Sequence, residues 1–293
     1  MELDYVKLKE IKPALSGYIR ESQSLSKLSV VPEENVIHDV RVLMKKSRAV
    51  LKLAGPQLDK ESYYRDYHTF REVGRIMHLW RETSVHRKTL KELRKEYPGI
   101  FSKLRDNEKI AALLRKTEPD QGLSKEMETR LGQIEDLLNR VQYRIRFQTM
   151  NKLDPQILIK ELELTYSGIV NIYLTCRNNP KPGSLHEFRK KAKDFLYQLY
   201  FFRPLNPSIV KALEKKLDSM TQNLGKFNDL TQLVITLGYK YPDSTNLPAM
   251  DELIVKIREK QDRYLAKVWP PAYEIFCPGQ KLVNILGFKL LVI

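Results

Sequence analysis

HDVRVLMKKSR, residues 38 to 48, returns in altered form as HEFRKKAKDFLY from residue 186. His38 matches His186, Arg41 matches Arg189 and Lys45 matches Lys193, each 148 residues apart. A second landmark keeps almost the same offset: MHLWRE at 77 to 82 aligns with LGKFND at 224 to 229, 147 residues on. Two landmarks at one offset predict two similar halves, 1–150 and 151–293, divided near Asn151 to Pro155. A period this long points to duplication of a bundle, because solenoid repeats run at about 20–50 residues.

Both halves carry helical periodicity, and no run alternates as a half-buried strand does. Helix starts are marked at Asn35, at Asp154-Pro155 and at Asn206-Pro207, where a capping residue precedes proline or the first helical turn. Ser184-Leu185-His186-Glu187 reads as a capping box. Breaks fall near Gly55-Pro56, Tyr97-Pro98-Gly99, Pro119 to Gly122 and Asn178 to Gly183. The expected fold is all-α, with about eight to ten helices.

On a helix over 36–54, His38, Arg41, Lys45, Arg48 and Lys52 fall within one arc of roughly 80°. Most of the remaining circumference is apolar: Val36, Ile37, Val40, Val42, Leu43, Met44, Val50, Leu51, Leu53 and Ala54. A solvated surface helix has the opposite proportions, so this one is expected to be buried with its cations on a seam. The helix over 185–203 repeats the pattern. His186, Arg189, Lys190, Lys193, Tyr197 and Tyr200 lie on one side, with Phe188, Ala192, Phe195, Leu199 and Phe202 on the other. Two such helices would face one another across a common groove.

Clustered cations in a poorly solvated seam repel one another and are costly to desolvate. The helix wheel offers them no carboxylate, since Asp39, Glu187 and Asp194 all project off the arcs. A polyanion is the remaining counter-charge. Successive cations stand about 5 Å apart along the axis, which suits a linear chain of phosphates. The whole chain agrees, with 51 Lys+Arg against 36 Asp+Glu and a net charge of +15. Such an excess is usually offset by nucleic acid, an acidic membrane or polyphosphate.

These same residues resemble the CHAD family, a histidine-containing α-helical domain. The family's first motif is histidine, two residues, Arg-Val, two residues, two basic residues, one residue and arginine, and 38–48 fits it throughout. In the second motif His186, Arg189, Lys190, Lys193 and Tyr197 fit, while Leu196 stands where the family has arginine. The family's Leu-Gly signature with its following acidic residue survives at 224–229 and is degraded at 77–82, with His78 in place of glycine. The resemblance spans about residues 10 to 275. It implies two four-helix bundles about a pseudo-two-fold axis, a basic central channel, binding of inorganic polyphosphate and association with polyphosphate granules. The expected polyphosphate-binding residues are His38, Arg41, Lys45, Arg48, Lys52 and Arg81 in the first half, and His186, Arg189, Lys190, Lys193 and Tyr197 in the second.

Other functions fit less well. Some relatives carry a triphosphatase domain marked by Glu-x-Glu-x-Lys on a strand; here Glu161-Leu162-Glu163 lacks the lysine and follows a helix cap. No nucleophile with a neighbouring base, glycine-rich phosphate loop or two-metal carboxylate cluster is visible, so no enzyme, cofactor or metal is expected. Nucleic-acid binding and a protein scaffold remain as alternatives. Arg140, Arg144 and Arg146 could form an outer basic patch, expected to face solvent, but the first seam offers no aromatic for base stacking. Cys176 and Cys277 have no metal-ligand spacing and suggest no disulfide framework. The opening MELDYVKLKEIK lacks a signal-peptide core, and the apolar ending KLVNILGFKLLVI is shorter than the ~20 residues of a membrane span. The expectation is a soluble cytoplasmic protein whose tail packs on its own body.

Overall fold

The computed structural model of the chain describes residues 8–27, 34–77, 82–115, 121–148, 150, 152–239 and 248–287. All regular structure among these residues is helical. In chain order the helices are α1 (Ile11–Ser26), α2 (Glu34–Ala54), α3 (Lys60–Ile76), α4 (Glu82–Glu96), α5 (Pro98–Lys103), α6 (Glu108–Leu114), α7 (Gln121–Phe147), α8 (Pro155–Asn178), α9 (Pro182–Leu199), α10 (Pro207–Thr236), α11 (Pro248–Phe276) and α12 (Leu282–Ile285). Short 3-10 turns follow α2 at Gly55–Gln57 and α9 at Tyr200–Phe202. The total exceeds the eight to ten expected because α5, α6 and α12 each span only one or two turns, too short for a periodicity count to resolve.

Local chemistry explains most of the boundaries. Asp154 accepts from the Gln156 amide at 2.8 Å, and Pro155 occupies the first helical position, as its fixed φ favours. Asp59 caps α3 through the Ser62 amide at 2.9 Å, and Asn107 caps α6 through Ile110 at 3.1 Å. Two expected starts are corrected. Ser184 lies inside α9 and forms no capping box, because Pro182 has already opened the helix behind Lys181. Asn35 likewise sits within the first turn of α2.

Asn206 precedes α10 but does not cap it. Its amide donates instead to the Leu286 carbonyl at 3.2 Å, tying the end of the described chain to the body. Leu282, Val283 and Leu286 are buried, so this part of the apolar tail packs as expected. Gly287 then turns at φ +59°, where a Cβ would lie 2.6 Å from Ile209 Cδ1; only glycine suits both demands.

The two basic helices are central to the packing. α2 contacts α1, α3, α8 and α9, while α9 contacts α8 and α10 as well as α2. Nine apolar residues of α2 are buried, among them Val40, Met44, Val50, Leu51 and Leu53 with no accessible surface. α9 buries Phe188 and Phe195 in an aromatic cluster with Tyr166, Tyr173 and Phe276, with ring centroids 5.7–6.4 Å apart. One continuous core links these helices with α1, α3, α7, α8, α10 and α11. A second, smaller core docks α4, α5 and α6 onto the far ends of α10 and α11 through Leu90, Leu93, Phe101, Leu233, Leu253 and Ile257. No helix among the described residues is long and apolar enough to cross a membrane.

Candidate functional site

α2 and α9 pack directly on each other, and two contacts pin them. The buried Gln198 amide donates to the Ala49 carbonyl at 3.0 Å, and Lys52 Nζ reaches Asp194 Oδ2 at 2.5 Å. The helix arcs expected to carry cations do so. Arg41, Lys45, Arg48, Lys52, Arg189 and Lys193 are all half-buried, while His38, His186 and Lys190 are exposed. The seam is thus neither a plain solvated face nor fully enclosed. Arg81 and His78 lie outside the described residues.

The arginines of the two halves make corresponding contacts. Arg41 Nη1 donates to the Gly74 carbonyl of α3 at 2.8 Å, and Arg189 Nε donates to the Thr221 carbonyl of α10 at 3.2 Å. The spans are 33 and 32 residues. In each case the helix that follows in sequence fixes the guanidinium, which loses rotational freedom before any ligand arrives. Gly225 makes the second of these placements possible: a Cβ there would stand 3.1 Å from both Nε and Nη2 of Arg189.

The expectation that no carboxylate serves the seam is wrong, because the helix wheel counted only each helix's own residues. Asp194 of α9 neutralises Lys52 of α2; the two side chains are 15% and 33% exposed. Asp218 of α10 binds Lys193 at 2.8 Å, and Glu187 binds Lys190 at 3.1 Å in an exposed pair. Burial pulls the Lys52 ammonium down, but the charge of Asp194 and the hydrogen bond to it outweigh this, so Lys52 is held more firmly protonated. Among the described residues no carboxylate lies within ion-pair distance of Arg48, whose Nε faces its own helix carbonyl of Met44 at 3.4 Å.

The first seam also has an aromatic that its own sequence does not supply. Tyr67 of α3 lies 6.0 Å from the Arg48 guanidinium and 5.8 Å from Lys52 Nζ, while Tyr197 lies 5.8 Å from Lys193. Burial pushes the Tyr197 phenol up to about 12, against the opposing pull of Arg189, so it remains a neutral hydroxyl across the physiological range.

Residues 224–229 of α10 bring the two halves together. His186 Nδ1 lies 3.1 Å from Asn228 Oδ1. Lys226, Asp229 and Leu230 line a cleft of about 400 Å³ that His38 also enters, closed on its other sides by α4 and by Lys260 and Tyr264 of α11. Sequence reasoning recognised this stretch as a signature but missed its roles: Gly225 admits Arg189, Asn228 orients His186, and Lys226 and Asp229 line one cleft with His38. Of the outer arginines, Arg140 and Arg146 are exposed as expected. Arg144 turns inward to Asp66 at 2.6 Å and to Thr69 at 3.2 Å, since Asp66 is fully buried and needs a counter-charge. Glu161 and Glu163 lie in α8, as read from the sequence.

The family described as CHAD domain matches residues 27–237, well over half of the chain. No curated protein matches it.

Proposed function

The chain belongs to the CHAD domain family, and on that premise we propose that it binds inorganic polyphosphate, without catalysis, along the cations of α2 and α9. The observation that carries this reading is the direct packing of the two basic helices, which carry six half-buried cations and are joined by an Asp194–Lys52 bond. Lys52, Lys190 and Lys193 already bind carboxylates, so the seam's cations are held in place by anionic oxygens. The oxygens of a linear phosphate polymer match the same ammonium and guanidinium donors, spaced about one helical turn apart. Association with polyphosphate granules in the cytoplasm belongs to the same reading.

The duplication is part of the proposal and has its own support. Corresponding arginines hold carbonyls at nearly the same sequence distance in both halves. Neighbour relations correspond too: α1 packs on α2, α2 on α3, and α7 on both α1 and α3, while α8 packs on α9, α9 on α10, and α11 on both α8 and α10. That pattern fits two four-helix bundles dividing between α7 and α8, with a basic channel where α2 meets α9.

Competition against labelled long-chain polyphosphate tests the reading. At matched salt, unlabelled polyphosphate should displace the label at far lower phosphate concentration than single-stranded DNA or RNA does. Equal displacement by all three would reduce the site to nonspecific charge.

Gly225→Ala offers a finer check. Alanine adds up to about 1 kcal/mol of helix propensity, which offsets the strain of moving Arg189 by a few tenths of an ångström. The melting temperature should therefore change by only a few degrees, while polyphosphate affinity falls about fivefold as the guanidinium leaves the Thr221 carbonyl. Unchanged affinity would remove Arg189 from the site.

A further inference from the structure

The last two turns of α7 present a surface that the seam does not use. Tyr143 and Phe147 are 68% and 65% exposed, although each ring would gain more than a kcal/mol from burial. Their centroids are 4.9 Å apart with the planes inclined at 58°, so the rings form one joint platform. The Arg146 guanidinium lies 5.8 Å from the Phe147 ring, and Arg140 is exposed one turn before Tyr143. Among the described residues no carboxylate is within ion-pair distance of Arg140 or Arg146. Asp136 bounds the face at its N-terminal side. At the other end Lys12 covers the carbonyls of Arg146 and Gln148, both at 2.9 Å, so the negative end of the helix is neutralised.

We propose that this face of α7 binds single-stranded nucleic acid, with a base stacked on the Tyr143–Phe147 platform and Arg140 and Arg146 on the flanking phosphates. The chemistry counts against three other occupants. Inorganic polyphosphate has no π face and gains nothing from the rings. A second copy of the chain would bring another +15 against this cationic surface. A lipid surface calls for aliphatic neighbours, and among the described side chains of α7 the large exposed apolar ones are these two rings. Rings interleaved with unpaired guanidinium groups match a polymer that alternates π faces with anions.

The test compares a labelled single-stranded oligothymidylate with an abasic phosphodiester of equal length, both on the full chain. The parent should prefer the base-bearing strand by about tenfold, the effect of one stacked base. In Tyr143→Ala/Phe147→Ala that ratio should fall to about one with abasic binding unchanged, and Tyr143→Trp/Phe147→Trp should restore it. Both rings are solvent-exposed, so the variants keep the fold, which a melting curve checks. A ratio near one in the parent overturns the proposal, as does a ratio that survives the alanine variant. Loss of binding to phosphatidylserine vesicles in the alanine variant, with the oligonucleotide ratio intact, would make the face a membrane contact instead.

Discussion

Replacing Arg41, Lys45, Arg189 and Lys193 together with alanine will lower polyphosphate affinity about a thousandfold at physiological salt, without unfolding the protein. Hydrogen bonds to charged groups contribute about 1.5–3 kcal/mol each, and four that share one ligand are not additive, so about 4 kcal/mol is the conservative sum. The slope of log affinity against log salt should fall by about three, since each cation removed releases one fewer counterion. The fold should survive because these four side chains are half-buried at most, and the apolar residues of α2 and α9 that form the core are untouched. Lys193→Ala does remove the ammonium from Asp218, but that carboxylate keeps the Gln222 amide at 2.6 Å, is 47% exposed and can hydrate. The control replaces the exposed Lys91, Lys95, Lys211 and Lys215, removing the same charge from elsewhere on the surface. Its affinity should stay within about threefold of the parent. Near-parental affinity in the seam variant with only a shallower salt slope, or equal losses in the two variants, would place the polyphosphate elsewhere.

The contrast between seam and control also shows which parts of the site were legible in the sequence. Helix identity was, because the apolar residues of α2 cover so much of its circumference that the cations could only share one arc. The pairing of α2 with α9 was anticipated from the repeat, since both carry histidine and arginine at matched positions. What the sequence hid is everything contributed across elements. Asp194 is off the arc of its own helix yet is the partner of Lys52, 142 residues away. Tyr67 reaches the first seam from α3, and Asp218 reaches Lys193 from α10. Periodicity fixes the direction of a side chain relative to its own axis and says nothing of what stands opposite. The same limit applies at Ser184. A capping box was present in the letters, but Pro182 had already fixed the helical φ two residues earlier. Gly225 was recognised as part of a signature, although its reason, the Arg189 guanidinium 3.1 Å from where a Cβ would be, exists only once α9 lies on α10.

Arg144 was misread for a related reason, and it carries the largest stability prediction. As a late residue of a basic, exposed-looking segment it had no visible partner; in the fold it holds Asp66, whose side chain has no accessible surface and whose Oδ2 has no hydrogen-bond partner among the described residues. Burial raises the Asp66 carboxyl above its ordinary value, and the hydrogen bond and charge of Arg144 offset this only in part. Arg144→Ala removes that offset and leaves a buried, unpaired carboxylate, a loss of about 3–5 kcal/mol near neutral pH. For a chain of this size the melting temperature should fall by roughly 10 °C. The pH dependence has a definite sign. Because the folded value is raised, the native state holds the proton more tightly than the unfolded chain does, so stability falls as pH climbs from the unfolded carboxylate range through the folded value. The deficit of Arg144→Ala should therefore be greatest at neutral pH and shrink as acid protonates Asp66. Asp66→Asn keeps an oxygen for Arg144 and removes the buried charge, and the 22% exposed guanidinium can hydrate, so this change should stay within about 1 kcal/mol of the parent. Thermal unfolding from pH 5 to 8 decides the matter. Equal losses in the two variants, or a deficit in Arg144→Ala that does not change with pH, would mean that Asp66 is already neutral in the native protein and that the pair acts as a hydrogen bond between an acid and a cation.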